Sequence, residues 1–182
     1  MFRVKGNGKE NQQYHELLIR KIAKCDIGAG IILAAVYFEW CVRRSIVALG
    51  RSEVVYLNEL LARRNVDMDA LLEIWRADVQ NEDIPSLPNV FDLEKGKPHF
   101  GNLVLTWKDV GKARKMRNRL VHGNRCAPLS QTGTKYVELF IAAADRLIRI
   151  STDRGRSIFR VIRGKANRKG VRTDFSKFLL RT

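Results

Sequence analysis

The stretch from Ile31 to Leu49, IILAAVYFEWCVRRSIVAL, constrains this chain more than any other, because its first half is apolar on nearly every side of a helix. Such a helix has to be surrounded by other elements, so it belongs at the centre of a bundle. The alternative is a membrane. The longest apolar run, Ile27 to Phe38, ends at Glu39 and is followed by Arg43 and Arg44. Crossing the hydrocarbon of a bilayer takes about 20 residues, so the run is too short and a buried helix is expected.

The flanking sequence supplies partners for that helix. A polar, Gly-containing arm occupies residues 1–11, and a helical pattern begins near Gln12 with Tyr14, Leu17, Leu18, Ile22 and Ile27. Gly28 and Gly30 mark either a break or a close helix contact. Gly50 ends the central helix, and Ser52 is placed to cap the next one, EVVYLNELLARR. Asp67 or Asp69 opens DALLEIWRADVQ. The Pro- and Gly-punctuated stretch 81–101 reads as a long connection. Thr106 with Asp109 forms an acidic variant of the capping box before TWKDVGKARKMRNRLVH, which stops at Gly123. Tyr136 to Ile150 is the last clear helix. No strand alternation is long enough for a sheet, so the expected class is all-α, an up-and-down bundle over residues 12–152. Beyond Thr152, ten Lys and Arg face only Asp153 and Asp174. In that basic C-terminal tail, SIFRVI reads as a short strand and FSKFLL as a helical piece docked on the body.

The charge balance selects the partner class. Over 182 residues, 34 Lys and Arg oppose 19 Asp and Glu, a formal charge of +15. Such an excess favours phosphate-rich partners, because each neutralised phosphate releases condensed counterions. Cys25, Cys41 and Cys126 are odd in number and lack CxxC spacing, which fits a reducing cytoplasm better than a disulfide framework or a zinc site. No secretory signal is read at the N-terminus. A cytoplasmic location away from membranes is therefore expected.

The chemistry concentrates in RNRLVHGN, Arg117 to Asn124. Asn118 and His122, four apart, share a helix face. Arg117 falls on the apolar stripe with Val110, Ala113, Leu120 and Val121, where a guanidinium is costly unless paired. His122 stands at the helix C-terminus, where the dipole favours a positive group. Cleavage of an RNA backbone needs a proton taken from the ribose 2′-OH or given to the leaving 5′-oxygen, and histidine suits either task. It also needs the phosphorane-like transition state to be stabilised, which the arginine fork does. With no HxxH or carboxylate cluster that would assemble a divalent-cation site, neither metal nor cofactor is expected.

Arg117, the polar Asn118 and His122, on a late helix of a small bundle, resemble the Rx4–6H motif of the HEPN superfamily. YFEWCVRRSIVAL resembles an early HEPN helix carrying an acidic residue near the dimer crevice, with Glu39 in that place. The resemblance covers roughly residues 12–150. It implies a homodimer whose motifs face one another, and a metal-independent endoribonuclease, often a toxin or antiviral effector. Arg117, His122 and Asn118 are then catalytic, Glu39 supports them, and Arg114, Lys115, Arg119 and Arg125 steer RNA, with Lys112 beside them. Two other classes compete: a non-catalytic HEPN-like module binding nucleic acid or nucleotides, and an assembly protein neutralised by an acidic antitoxin or regulatory chain. Residue by residue, His122 alternatively caps its helix, Arg117 pairs structurally with Glu39, and Glu39 is simply solvated. His15 and His99 are read as structural or surface residues, and Trp40, Trp75 and Trp107 as core.

Overall fold

The computed structural model describes residues 8–63, 66–92, 106–123, 130–160, 162 and 166–176. Helices α1 (Gly8–Cys25) and α2 (Ile27–Leu49) form a hairpin around Asp26. The Asp26 carboxylate caps α2 by accepting from the Ala29 amide at 3.0 Å. A Cβ on Gly30 would lie 2.4 Å from that of Ala23, so this glycine lets the two backbones touch at the corner. The break therefore falls at Asp26, and Gly30 is the close contact. Helix α1 also begins earlier than Gln12, at Gly8.

Four short helical pieces separate this hairpin from a second one. Helix α3 spans Val54–Leu61, and α4 spans Met68–Ile74 and continues through one wide π turn, Trp75–Val79. Asp67, rather than Asp69, caps α4, accepting from the Ala70 amide at 2.9 Å. Helix α5, Leu87–Asp92, lies within the stretch expected to be a plain connection. Pro88 is tolerated in its first turn, where its missing N–H has no intrahelical partner to lose. Helices α6 (Trp107–Val121) and α7 (Ser130–Asp153) complete the set, and the described residues contain no strand. The Thr106 hydroxyl donates to the Asp109 carboxylate at 2.6 Å and accepts from its amide at 3.2 Å, so Thr106 caps α6 and Asp109 braces its hydroxyl.

Contacts along the helices set their directions. Phe38 meets Phe140 and Ser45 meets Ser151, so α2 and α7 run parallel. Gln12 bonds Asp145 and Arg20 bonds Glu138, so α1 runs antiparallel to α7. With α6 also reversed, the long helices alternate up and down, and α2 lies at the centre as its composition requires. Tyr37, Phe38, Cys41, Val42 and Ile46 are all fully buried. Phe91 of α5 joins the layers, edge-on to Phe38 and stacked on Trp107 at 5.5 Å. Trp75 is buried, with its indole N–H donating to Pro85 O. No helix among the described residues is long and apolar enough to cross a membrane.

The α1–α7 seam is polar. Arg20 grips Glu138 through two bonds of 2.9 Å, and Gln12 donates to both Glu16 and Asp145. Burial is the largest influence on Glu16 and pushes its carboxyl above the ordinary 4.5. A raised folded-state pKa means stability present at low pH and lost as pH rises through that value. Glu16→Gln, which mimics the protonated form, is therefore expected to gain melting temperature over wild type at pH 7. The gain should shrink toward pH 4, and a pH-independent difference would contradict the assignment. At Gly111, on the outside of α6, an added Cβ meets nothing within 4 Å. Gly111→Ala is expected to stabilise the protein by about 0.5–1 kcal/mol, read as a higher melting temperature.

The basic segment after α7 packs back on the body. Among its described residues the expected strand at SIFRVI is not formed: 158–159 turn and 160 bends, burying Ile158 and Phe159, the latter against Trp40. Arg44 holds this corner by donating to Ile158 O at 2.8 Å and to Arg160 O. Arg168 is buried and donates to Ser52 O and Val47 O. Phe175 is buried and stacks on Tyr56.

Ser52 does not cap α3, whose N-cap Glu53 makes no side-chain cap bond. Instead its hydroxyl donates at 2.6 Å to the fully buried Asp78, which also receives the Thr173 hydroxyl at 2.7 Å. The Ser52 amide reaches the same carboxylate at 3.1 Å, and the Thr173 amide donates back to the Ser52 oxygen at 2.9 Å. Asp78 sits in the π turn. A Cβ on Gly50 would come within 2.3 Å of its carboxylate, so only glycine fits there.

Candidate functional site

Helix α6 lays Val110 and Ala113 into the core, which sets the orientation of everything else on it. Arg117, one turn further on, turns its guanidinium toward α2. One terminal nitrogen contacts Glu39 at 3.0 Å and the other donates to the Asn118 side-chain oxygen at 2.9 Å. The two ion-pair side chains are 27% and 29% exposed, so the pair lies at the surface with one edge open to solvent. Glu39 is therefore engaged rather than free in solvent. The pairing that sequence alone raised is formed between residues 78 apart in the chain.

His122 occupies the C-cap of α6, and its backbone N–H donates to Asn118 O at 3.0 Å. Gly123 follows with φ of +73°, the left-handed conformation that closes a helix end and favours glycine. The imidazole is exposed and makes no hydrogen bond among the described residues. Five residues of helix put Arg117 and His122 about 140° apart around the axis. The two therefore do not share a face. Asn118 lies between them, bonded to the Arg117 side chain and, through its carbonyl, to the His122 backbone. An arginine, an amide and a histidine thus follow one another around the end of the helix.

No family model, curated protein or solved structure matches this chain. The site stands on its own chemistry.

The steering residues are arranged unevenly. Lys115 and Arg119 are exposed and Arg114 is half-buried, and none of them makes an ion pair among the described residues. Lys112 is exposed and pairs with Asp109 at 3.0 Å. Arg125 and His99 lie outside the described residues. His15 is buried, Trp75 is core, and Trp40 and Trp107 pack half-buried against it. A groove of about 450 Å³ lies elsewhere, lined by Gln12, Asp145, Arg149, Phe159 and Arg160 among others, and no motif residue reaches it.

Sequence reasoning missed Lys108, exposed at the start of α6, and the buried Asp78. Both had a signal. Lys108 is four residues before Lys112 on the face opposite Val110. Asp78 continues the apolar stripe of Leu71, Ile74 and Trp75, where a carboxylate has to find buried donors.

Proposed function

We propose that this chain is a metal-independent endoribonuclease of the HEPN type, acting through Arg117 and His122. What carries the reading is the Glu39–Arg117–Asn118 arrangement, which fixes a guanidinium with a free edge five residues before an exposed histidine at the end of the same helix. In the proposed reaction the ribose 2′-oxygen attacks the adjacent phosphorus and the bond to the 5′-oxygen breaks. His122 takes the proton from the 2′-OH or supplies one to the departing 5′-oxygen. Arg117 donates to the non-bridging oxygens as negative charge builds on them, and Asn118 keeps the fork in plane.

A homodimer with two facing motifs belongs to this proposal. Support comes from the exposed apolar side chains Tyr14 and Leu17 on α1, and from Val36 on α2, one turn before Glu39. A toxin or antiviral role, restrained by an acidic partner, extends the same reading. The competing reading is a non-catalytic nucleic-acid-binding module. It draws on the partial neutralisation of Arg117 by Glu39. The deciding test is incubation of purified protein with RNA in EDTA. Cleavage leaving 2′,3′-cyclic phosphate and 5′-OH ends is expected, and intact RNA at stoichiometric protein would overturn the proposal.

A further inference from the structure

Seen from outside, α6 carries a row of cations. Lys108, Lys112, Lys115 and Arg119 are exposed and follow at intervals of four, three and four residues. On a helix that spacing holds them within roughly 60° of one another, on the side opposite Val110 and Ala113. The steps along the axis are about 4.5 to 6 Å, and the row runs for about 16 Å. Lys108, Lys115 and Arg119 have no ion-pair partner among the described residues, and of the row only Lys112 pairs with Asp109. Lys135 of α7 is also exposed and lies near enough to Asp109 to act on its carboxyl, which widens the row at its start. At the other end the row meets His122, seven residues after Lys115 and three after Arg119.

We propose that the outer face of α6 is a track for one extended RNA strand, held by successive phosphates and led onto His122. The destination rests on the cleavage reading above, in which the strand leaves the row at His122 and turns across the helix end to reach Arg117 on the side facing α2; the binding does not. The step between cations is comparable with the separation of neighbouring phosphates on an extended strand, so each side chain takes one phosphate. On an A-form duplex the backbone curves away from a straight row, and fewer of the four are satisfied together. Among the described residues the face exposes no aromatic side chain, since Trp107 is half-buried against Phe91. Bases therefore have no stacking platform, and the track is indifferent to sequence.

The test uses His122→Ala protein, so that the RNA stays whole, and fluorescence anisotropy with a labelled oligouridylate of about 12 nucleotides. A blunt RNA duplex of equal length is the comparison. The single strand is expected to bind more tightly. Each phosphate contact on a single strand contributes about −0.7 to the slope of log affinity against log salt. Changing Lys108, Lys112 and Lys115 together to Gln should therefore flatten the slope by about 2. The exposed residues Lys21, Lys24 and Arg154, changed to Gln as a control set, should alter it by less than about half as much. Circular dichroism confirms that both triple variants fold. Duplex binding as tight as single-strand binding, or a control set as damaging as the track set, overturns the proposal. RNA left uncleaved by the wild-type protein, with this binding pattern intact, would defeat the cleavage reading and leave the track standing. Wild-type cleavage that is unchanged by the track substitutions would do the reverse.

Discussion

Alanine at His122 is expected to slow RNA cleavage by about 10²- to 10⁴-fold, the range that a positioned acid or base contributes. Folding should be untouched, because the imidazole is exposed and holds nothing among the described residues. Its helix-ending role belongs to its backbone N–H and to Gly123, which alanine leaves in place. Single-turnover cleavage and a thermal melt of the same preparation separate the two effects. A variant that melts like wild type and still cleaves at its rate would show that His122 only ends a helix. Arg117→Ala should be comparably slow, and Arg117→Lys should not restore the rate. A lysine has no planar fork to span both Glu39 and Asn118 while offering an edge to phosphate. Removing Arg117 also strands Glu39, so the histidine variant is the cleaner test of chemistry.

Asp78→Ala is expected to cost about 3 kcal/mol or more, since breaking a buried charged network leaves its partners uncompensated. In a chain of this length that lowers the melting temperature by roughly 6–12 °C. Three donors lose their acceptor at once: the Ser52 hydroxyl, the Ser52 amide and the Thr173 hydroxyl. The same site joins the π turn of α4, the α2–α3 junction and the segment carrying Arg168 and Phe175. That segment should therefore loosen first, with limited proteolysis cutting near 166–176 before the bundle melts. Asp78→Asn keeps the volume and one acceptor oxygen, so its loss should be smaller. A melting temperature for Asp78→Ala within about 2 °C of wild type would mean that the cluster contributes little.

Much of the bundle was legible along the chain. The helical periodicity, the near-complete apolar girth of α2, the Asp67 cap and the Thr106–Asp109 pair act within one or two turns, so local residues decide them. The placement of RNRLVHGN at the end of one helix was local too, and so were the cations Lys112, Lys115 and Arg119, whereas Lys108 was missed although its spacing carried the signal. Other features needed the third dimension. Ser52 has the composition of a cap, yet its hydroxyl goes to a carboxylate 26 residues away, because burial left Asp78 in greater need of donors. Arg168 looks like one more cation in a solvated run, and instead it satisfies the carbonyls of Val47 and Ser52. Proline-rich sequence around Pro88 hides a helix that exists because Phe91 has Phe38 and Trp107 to pack against. Propensity and capping reach three or four residues. A buried polar group takes its partner from wherever the packed chain supplies one, and that is why the Asp78 cluster was decided by tertiary structure alone, while the Glu39–Arg117 pair, raised by the sequence as an alternative, needed the packing of α6 on α2 to be chosen.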